Sequence, residues 1–595
     1  MRSGAAHADR APRIDERPSA TDTQPTTEGP TTTRPVSRRE LAALLAVTVL
    51  AAALRLPGLA ARGIWDSDQG GQMLVLRAFV HDGVIPLLGP SASVGGFHHG
   101  ALYYWLLAPS AVLSGGNDPV PVLVEFALTG IAAVVLAWWV GREMDGPVTG
   151  LVAALLLAAS ATAISASTTF WNPNLIPAAS LVAVGAAWHA WRTRRPAWWM
   201  VSAVGVAVAG QLHVLAWLLA VPLAALYLLD VRRAVLEGTA AHRGDDLRTR
   251  ARPSVRAVLG SGAAGVALAA VTYIPLLVYE LGHDFAETRG FLAFLASGTS
   301  GSSLGPLARL IVVTIRTLAW PLAGLLTTAP VPAVLAATGV AAGLAWRALA
   351  GRTDEVAAAR WLLGSLVFAC VVLGLGVSAL AEITPLTVDQ YHAAFDPLVV
   401  LAAALAITGL AGWTGPNARR AGWRAGSADL ETGAGELGGG VEPRPPGVSQ
   451  ETRRRGHTFV DRLPPVVVVA AIVGWNVATW PPAVSPDGGW PAASAAAHRI
   501  ERAVGGHPYA LISLPSFKPP DAYRYPLVAD GFPPVATADE HLVVVLCDDL
   551  FVPDCATAVE TAATGTLRAA SRTLRLIDTF SPAPGRHLAV FAAGD

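Results

Sequence analysis

Lysine occurs once in the 595 residues, at Lys518, and every other basic side chain is an arginine. A phosphate-binding loop needs Gly-Lys-Ser/Thr, and Lys518 sits instead in Ser516-Phe517-Lys518-Pro519. A pyridoxal Schiff base within the membrane body is excluded on the same ground. Cysteine is nearly as rare: Cys370 lies inside an apolar run, and Cys547 and Cys555 lie close together near the C-terminus. Three cysteines are too few for a disulfide framework or a four-cysteine zinc site. Charge is scarce as well, at 14% of residues, where a soluble globule carries about 25%. The 43 basic and 43 acidic side chains cancel, so no basic footprint points to a nucleic-acid partner. What the chain has is apolar mass: 53% hydrophobic residues and a mean hydropathy of +0.46. That composition belongs to a polytopic α-helical membrane protein.

Residues 1–38, rich in Thr, Pro, Ala and Arg, read as a disordered cytoplasmic tail. A cleavable leader would place its apolar region nearer the start, so the first apolar stretch is expected to be a retained span. At roughly 20 residues each, spans are expected near 40–57, 119–140, 149–168, 174–190, 198–210, 212–229, 257–279, 328–347, 361–381, 393–412 and 464–481, eleven in all. The pair meeting at Gln211 has the softest boundary. Arg38-Arg39, Arg192/Arg194/Arg195, the arginine-rich 230–256 loop, Arg347/Arg352 and Arg453-Arg454-Arg455 then all fall on the cytoplasmic side. A further span at 306–326 would put Arg347 and Arg352 outside, so that stretch is read as interfacial or re-entrant. The organisation that results is a core over 39–412, a flexible cytoplasmic linker over 413–463, a last span at 464–481 and an external C-terminal domain over 482–595. In that domain a helix (Ala492 to Val504) alternates with β-like runs at Tyr509–Leu514, His541–Leu546, Thr573–Ile577 and His587–Phe591, which predicts a small α/β domain. Cys547 and Cys555 either pair there or stay as two buried thiols.

The first external loop carries most of the candidate chemistry. It runs from Trp65-Asp66-Ser67-Asp68-Gln69-Gly70 to Phe97-His98-His99-Gly100-Ala101-Leu102-Tyr103-Tyr104. Carboxylates, imidazoles and phenols at a bilayer surface can deprotonate an acceptor hydroxyl and hold a phosphate. Asp66 and Asp68 equally suit the cap of a helix beginning near Gly70. The His98-His99 pair fits phosphate or substrate better than metal, since no carboxylate or cysteine lies at ligand spacing beside it in sequence. Tyr103-Tyr104-Trp105 fits an interfacial aromatic belt or a stacking surface. Asn172 sits in an external turn, Phe170-Trp171-Asn172-Pro173-Asn174, and His213 lies in or beside the membrane, as a buried neutral ring or a functional one. The span ending at Tyr279-Glu280 leads into His283-Asp284-Phe285-Ala286-Glu287-Thr288-Arg289. There Arg289 can clamp a phosphate, pair with Glu287 or reach lipid headgroups.

The acidic pair after the first span and the loop ending His-Gly-x-Leu-Tyr-Tyr resemble the membrane-embedded GT-C glycosyltransferases. The branch that includes protein O-mannosyltransferases and aminoarabinose lipid transferases is the most similar. Trp171-Asn172-Pro173-Asn174-Leu175, Gln211-Leu212-His213 and Pro275-Leu276-Leu277-Val278-Tyr279-Glu280 extend the resemblance, which covers roughly residues 40–400. It implies transfer of a hexosyl or pentosyl group from a polyprenyl-phosphate donor to an acceptor hydroxyl on a protein, lipid or polysaccharide, at the external face of the cell membrane. No cofactor is implied; Asp68 would be the general base, and Asp66 is the second catalytic candidate, standing in for the carboxylate the family's acidic pair has beside it. The family's Asp-Glu becomes Asp68-Gln69 here, and its Arg-Tyr becomes Gln390-Tyr391, followed by His392. Tyr391 joins the candidate substrate contacts, and His392 or Arg289 would replace the lost positive charge. Two other classes compete: a transporter of lipid or sugar, against which the external clustering of ionisable groups speaks, and a non-catalytic scaffold displaying the C-terminal domain.

Overall fold

Proline, serine and arginine decide where the long apolar helices of this chain break. The computed structural model describes residues 35–92, 96–242, 253–297, 304–324, 326–350, 356–380, 391–413, 463–535, 541–566 and 574–593. Nearly all of the amino-terminal tail, the linker over 414–462 and Gln390 therefore lie outside the described residues. Among those described, five helices are individually long and apolar enough to cross a membrane. They are Val120–Asp145, Val214–Thr239, Pro306–Ala323, Pro330–Ala350 and Ala357–Leu380, and two bent pairs bring the number to seven. Pro306–Ala323 is the stretch read from sequence as interfacial or re-entrant; it forms one unbroken 18-residue helix.

The first bent pair is Pro147–Ala159 with Ala161–Ser167, turned by 65°. At the break, Ser160 caps the second helix by accepting from the Ala163 N–H. The carbonyls released by the bend accept instead from buried Arg55, at 3.0 Å from Leu157 O and 2.9 Å from Ala158 O. In an apolar surround such carbonyls need an internal donor. The second pair, Val255–Val271 with Ile274–Gly282, turns by 50° where Pro275 opens the second helix. A proline there has no N–H for the ladder, and its ring crowds the preceding turn.

Charges collect at one end of the bundle. Arg142 pairs with Glu40 at 2.8 Å and Arg347 with Asp145 at 2.6 Å. Next to them Arg192 meets Glu143, and Arg194 bonds Asp230 and Glu237. Among the described residues, Arg192, Arg194 and Arg347, assigned to one side by sequence, thus share an end. The first loop and the C-terminal segment occupy the opposite end.

The C-terminal segment builds a four-stranded mixed sheet. β1 (Leu88–Ser91) and β2 (His98–Gly100) form a separate hairpin in the first loop, and the sheet contains β3 (Ala510–Leu514), β4 (Leu542–Asp548), β5 (Leu574–Ala583) and β6 (Arg586–Ala593). Its order is β3-β4-β6-β5, with β3 parallel to β4 and both other pairs antiparallel. All seven residues of β4 are buried, as a central strand covered on both faces requires. Two helices, Gly489–Val504 and Cys555–Thr566, pack on the sheet, and a third, Asp521–Ala529, packs on Gly489–Val504. Cys547 and Cys555 are joined by a disulfide.

This segment is docked on the first loop. Trp65 is buried against Trp490 and Tyr525, with ring centroids 4.7 and 5.9 Å away, and donates its indole N–H to Ala522 O at 2.9 Å. Asp487 accepts from the Trp65 backbone N–H, and Ser485 donates to Ala61 O. Gly70 lets the two segments touch: a Cβ there would stand 1.9 Å from Asp521 O.

Candidate functional site

The clasp between the first loop and the C-terminal segment encloses a cavity of about 840 Å³. Asp66 starts the geometry. It is the N-cap of the helix Ser67–Asp82, three residues earlier than the sequence suggested, and its backbone N–H donates to Gln69 Oε1 at 2.9 Å, closing a capping box. Gln69 donates its own amide to Phe170 O at 2.7 Å. A glutamate at this buried position would lose that donation, because an ionised carboxylate only accepts. The Gln in place of the family's Glu is therefore matched to its surroundings.

Each oxygen of Asp66 faces a cation from the C-terminal segment. Oδ2 lies 3.0 Å from Lys518 Nζ, and Oδ1 lies 3.0 Å from Arg586 Nη2. Lys518 is held on its far side by Asp548 at 2.7 Å. Burial works against the Lys518 ammonium, but the Asp548 and Asp66 partners outweigh it and raise its pKa. Asp68, in the first turn of the same helix, makes no hydrogen bond or ion pair among the described residues. It is exposed on the wall of the cavity, accessible to a molecule inside it and still surrounded by protein. That surrounding, followed by the negative charge of Asp66, raises its pKa above the usual carboxylate value, and Lys518 opposes the rise. An accessible carboxylate without a partner and with raised basicity is the form a general base needs.

The facing wall is built of imidazoles. The Nδ1 of His98 lies 3.1 Å from Glu287 Oε1, and its backbone N–H donates to Glu287 Oε2 at 2.6 Å. With a carboxylate on Nδ1, the Nε2 of His98 is the nitrogen left for a ligand. Glu287 stands 189 residues away, so the carboxylate missing beside the histidines in sequence is supplied by the fold. Glu280 in turn accepts from Glu287 N, Thr288 N and Thr288 Oγ1, fixing the start of helix Ala286–Ser297. His99 is buried, and that burial, with His98 adding to it, lowers its pKa to about 4. Its ring centroid lies 4.9 Å from that of His213, whose Nδ1 accepts from Leu215 N. Gly100 lets the hairpin approach Gln211; a Cβ there would meet Gln211 Oε1 at 2.4 Å. Asn172 ties the Trp171–Pro173 turn to Leu212 O at 2.6 Å.

Asp66, Asp68, His98, His99, Tyr104, Asn172 and His213 thus line one cavity. The other candidates lie off it. Tyr103 is fully buried behind the wall, donating to Gln72 Oε1 at 2.6 Å. Tyr391 packs edge-on to His213 at 5.8 Å, and His392 is buried nearby in the chain. Glu280 supports Glu287, and Arg289 is exposed outside the cavity wall. Lys518, Asp521, Phe517 and Phe551 complete the lining from the C-terminal segment.

Residues 98–243 match the family described as dolichyl-phosphate-mannose-protein mannosyltransferase. That match covers the stretch that carries both loop histidines, Tyr104, Asn172 and His213. No curated protein matches the chain in sequence. Among solved structures it is similar to ArnT from Cupriavidus metallidurans bound to undecaprenyl phosphate: 12% identity, TM-score 0.49, 92% of this chain and 97% of that one. It is also similar to the oligosaccharyltransferase AglB from Archaeoglobus fulgidus, in complex with an inhibitory peptide and a dolichol-phosphate (12%, 0.44, covering 94% and 74%). A third is the arabinofuranosyltransferase AftD from Mycobacteria (16%, 0.46, covering 95% and 40%).

The family resemblance ended near residue 400, and the C-terminal contribution to the cavity was missed with it. The signal in the sequence is the single lysine itself; that it lies beside Asp66 and Asp548 is set by the fold.

Proposed function

We propose that the protein transfers a sugar from a polyprenyl-phosphate donor to an acceptor hydroxyl, in the cavity at the external face of a cell membrane. The amino terminus would be cytoplasmic and the C-terminal segment external. The observation that carries this reading is Asp68: a carboxylate open to the cavity, without a hydrogen-bond partner among the described residues, in a chain whose 98–243 segment matches a mannosyltransferase family.

Asp68 accepts the acceptor's hydroxyl proton as the oxygen attacks the anomeric carbon. The new C–O bond forms while the bond from that carbon to the phosphate oxygen breaks, and the electron pair leaves with polyprenyl phosphate. Attack opposite the leaving group inverts the anomeric centre. The leaving phosphate is already an anion and needs donors more than a proton. The phenol of Tyr104 and the amide of Asn172 are the donors at hand, and His98, with Glu287 on its Nδ1, donates through Nε2 in its doubly protonated form. Asp66, with both oxygens matched to cations, shapes the helix start and is not the base. Burial and the nearby Asp68 raise the pKa of Tyr104, so its hydroxyl stays a donor.

The test is sugar transfer and sugar release from a panel of radiolabelled polyprenyl-phosphate sugars by protein in lipid, wild type beside Asp68→Asn. Turnover of one donor that vanishes in the variant supports the reading. Undiminished turnover by Asp68→Asn removes Asp68 as base.

A further inference from the structure

The only permanent cation lining the cavity among the described residues comes from outside the family-matched segment. Lys518 sits in the turn after β3, and its backbone is fixed from both sides: its N–H donates to Pro515 O at 3.1 Å, and its carbonyl accepts from Ser513 Oγ at 2.6 Å. Its Nζ reaches Asp66 and Asp548 and lies 5.6 Å over the Phe551 ring. Asp548 and Phe551 belong to the loop closed by the Cys547–Cys555 disulfide, so the lysine is held by a pinned loop.

Resting on the transfer reading above, we infer that Lys518 is a positioning residue for transfer. Lys518 on one oxygen and Arg586 on the other tie Asp66 into ion pairs, so that Asp68 is the carboxylate left open to the acceptor's proton. Two carboxylates two residues apart on one helix start would otherwise compete for one proton, as neighbouring acids do. The titratable groups that share the cavity wall with Asp68 are Asp66 on its own helix, Tyr104 from helix Leu102–Leu113, His98 and His99 from the β1–β2 hairpin, His213, and Lys518 and Asp521 from the C-terminal segment, with Arg586 behind Asp66. His99 is neutral above about pH 4. Arg586 holds the other oxygen of Asp66 but does not line the cavity, so Lys518 is the permanent cation, among the described residues, that both pairs with Asp66 and lines the cavity beside Asp68.

The experiment compares pH profiles of kcat/KM for wild type, Lys518→Met and Lys518→Arg. In Lys518→Met the acidic limb should move up by about one pH unit, the low end of the effect of a charge at this range, because the cavity admits water. Lys518→Arg should restore the wild-type limb. An unmoved limb in folded Lys518→Met, or an Arg variant shifted like the Met variant, overturns the inference. A second readout needs no activity. The single lysine makes acetic anhydride modification site-specific, read by mass spectrometry of the Lys518 peptide as pH is raised. Half-modification should occur above the ordinary lysine value of about 10.4 and fall in Asp66→Asn, since Asn caps the helix as well as Asp. No response to Asp66→Asn overturns the pairing. Loss of transfer in Asp68→Asn with an unmoved limb in Lys518→Met sinks this inference alone. Transfer retained in Asp68→Asn sinks the functional reading and this with it.

Discussion

Replacing Gly70 with alanine sets two physical effects against each other with opposite sign. Gly70 lies inside the helix Ser67–Asp82, where alanine is favoured over glycine by about 1 kcal/mol. By propensity alone the variant would be more stable. The structure demands the reverse, because a Cβ at Gly70 would stand 1.9 Å from Asp521 O, 2.3 Å from Asp521 C and 2.7 Å from Ala522 N. These are backbone atoms of the helix Asp521–Ala529, which cannot rotate aside as a side chain would, so the two helices must part. Overpacking of this kind costs about 1–3 kcal/mol, and the separation also loosens Trp65 from Ala522 O. The net expectation is a destabilisation of about 1–2 kcal/mol, seen as a lower melting temperature and faster proteolytic release of the 482–595 segment. Gly339→Ala is the control: it is mid-helix with nothing within 4 Å of its Cβ, and it should be neutral or stabilising. If Gly70→Ala melts at or above wild type, as the control does, the close docking of the C-terminal segment is refuted.

Four further outcomes are expected. Arg55→Leu strips the donors from Leu157 O and Ala158 O, and two unsatisfied buried carbonyls should cost about 2–4 kcal/mol; a thermal melt in detergent that matches wild type would contradict this. Substituting Cys547 and Cys555 with serine should loosen the loop that carries Asp548 and lower stability by about 2–3 kcal/mol, measured by melting with and without reductant. Burial opposes ionisation of Asp548, but the Lys518 hydrogen bond and charge outweigh it and depress its pKa. A depressed folded-state value contributes stability that is present above the unfolded value of about 3.9 and is lost as pH falls through the folded one, so melting should drop below about pH 4. The raised pKa of Asp68 works on activity instead, placing the acidic limb of transfer above the ordinary aspartate value.

Composition made the membrane class legible, and the spacing of loop motifs made most of one cavity legible. Asp68, His98, His99, Tyr104, Asn172 and His213 come from four separate stretches, and the chain brings them together. The β-like runs of the C-terminal segment became β3 to β6, because alternating and continuous apolar runs are local signals. What sequence did not carry was long-range pairing. Nothing adjacent to Asp66 announces Lys518 and Arg586, more than 400 residues away, and nothing beside His98 announces Glu287. The helix Asp521–Ala529 was missed because Pro526 interrupts its pattern, although the proline is buried against the docking face. The bend at Ser160 was read as one continuous span, since apolar content alone does not reveal a capping serine and a donor supplied by Arg55.

The most direct test of the central claim is transfer from a polyprenyl-phosphate sugar by folded Asp68→Asn protein in lipid, beside wild type. A variant that still binds donor and melts like wild type but transfers nothing is the expected result. Transfer at the wild-type rate would place the proton acceptor elsewhere and contradict the account.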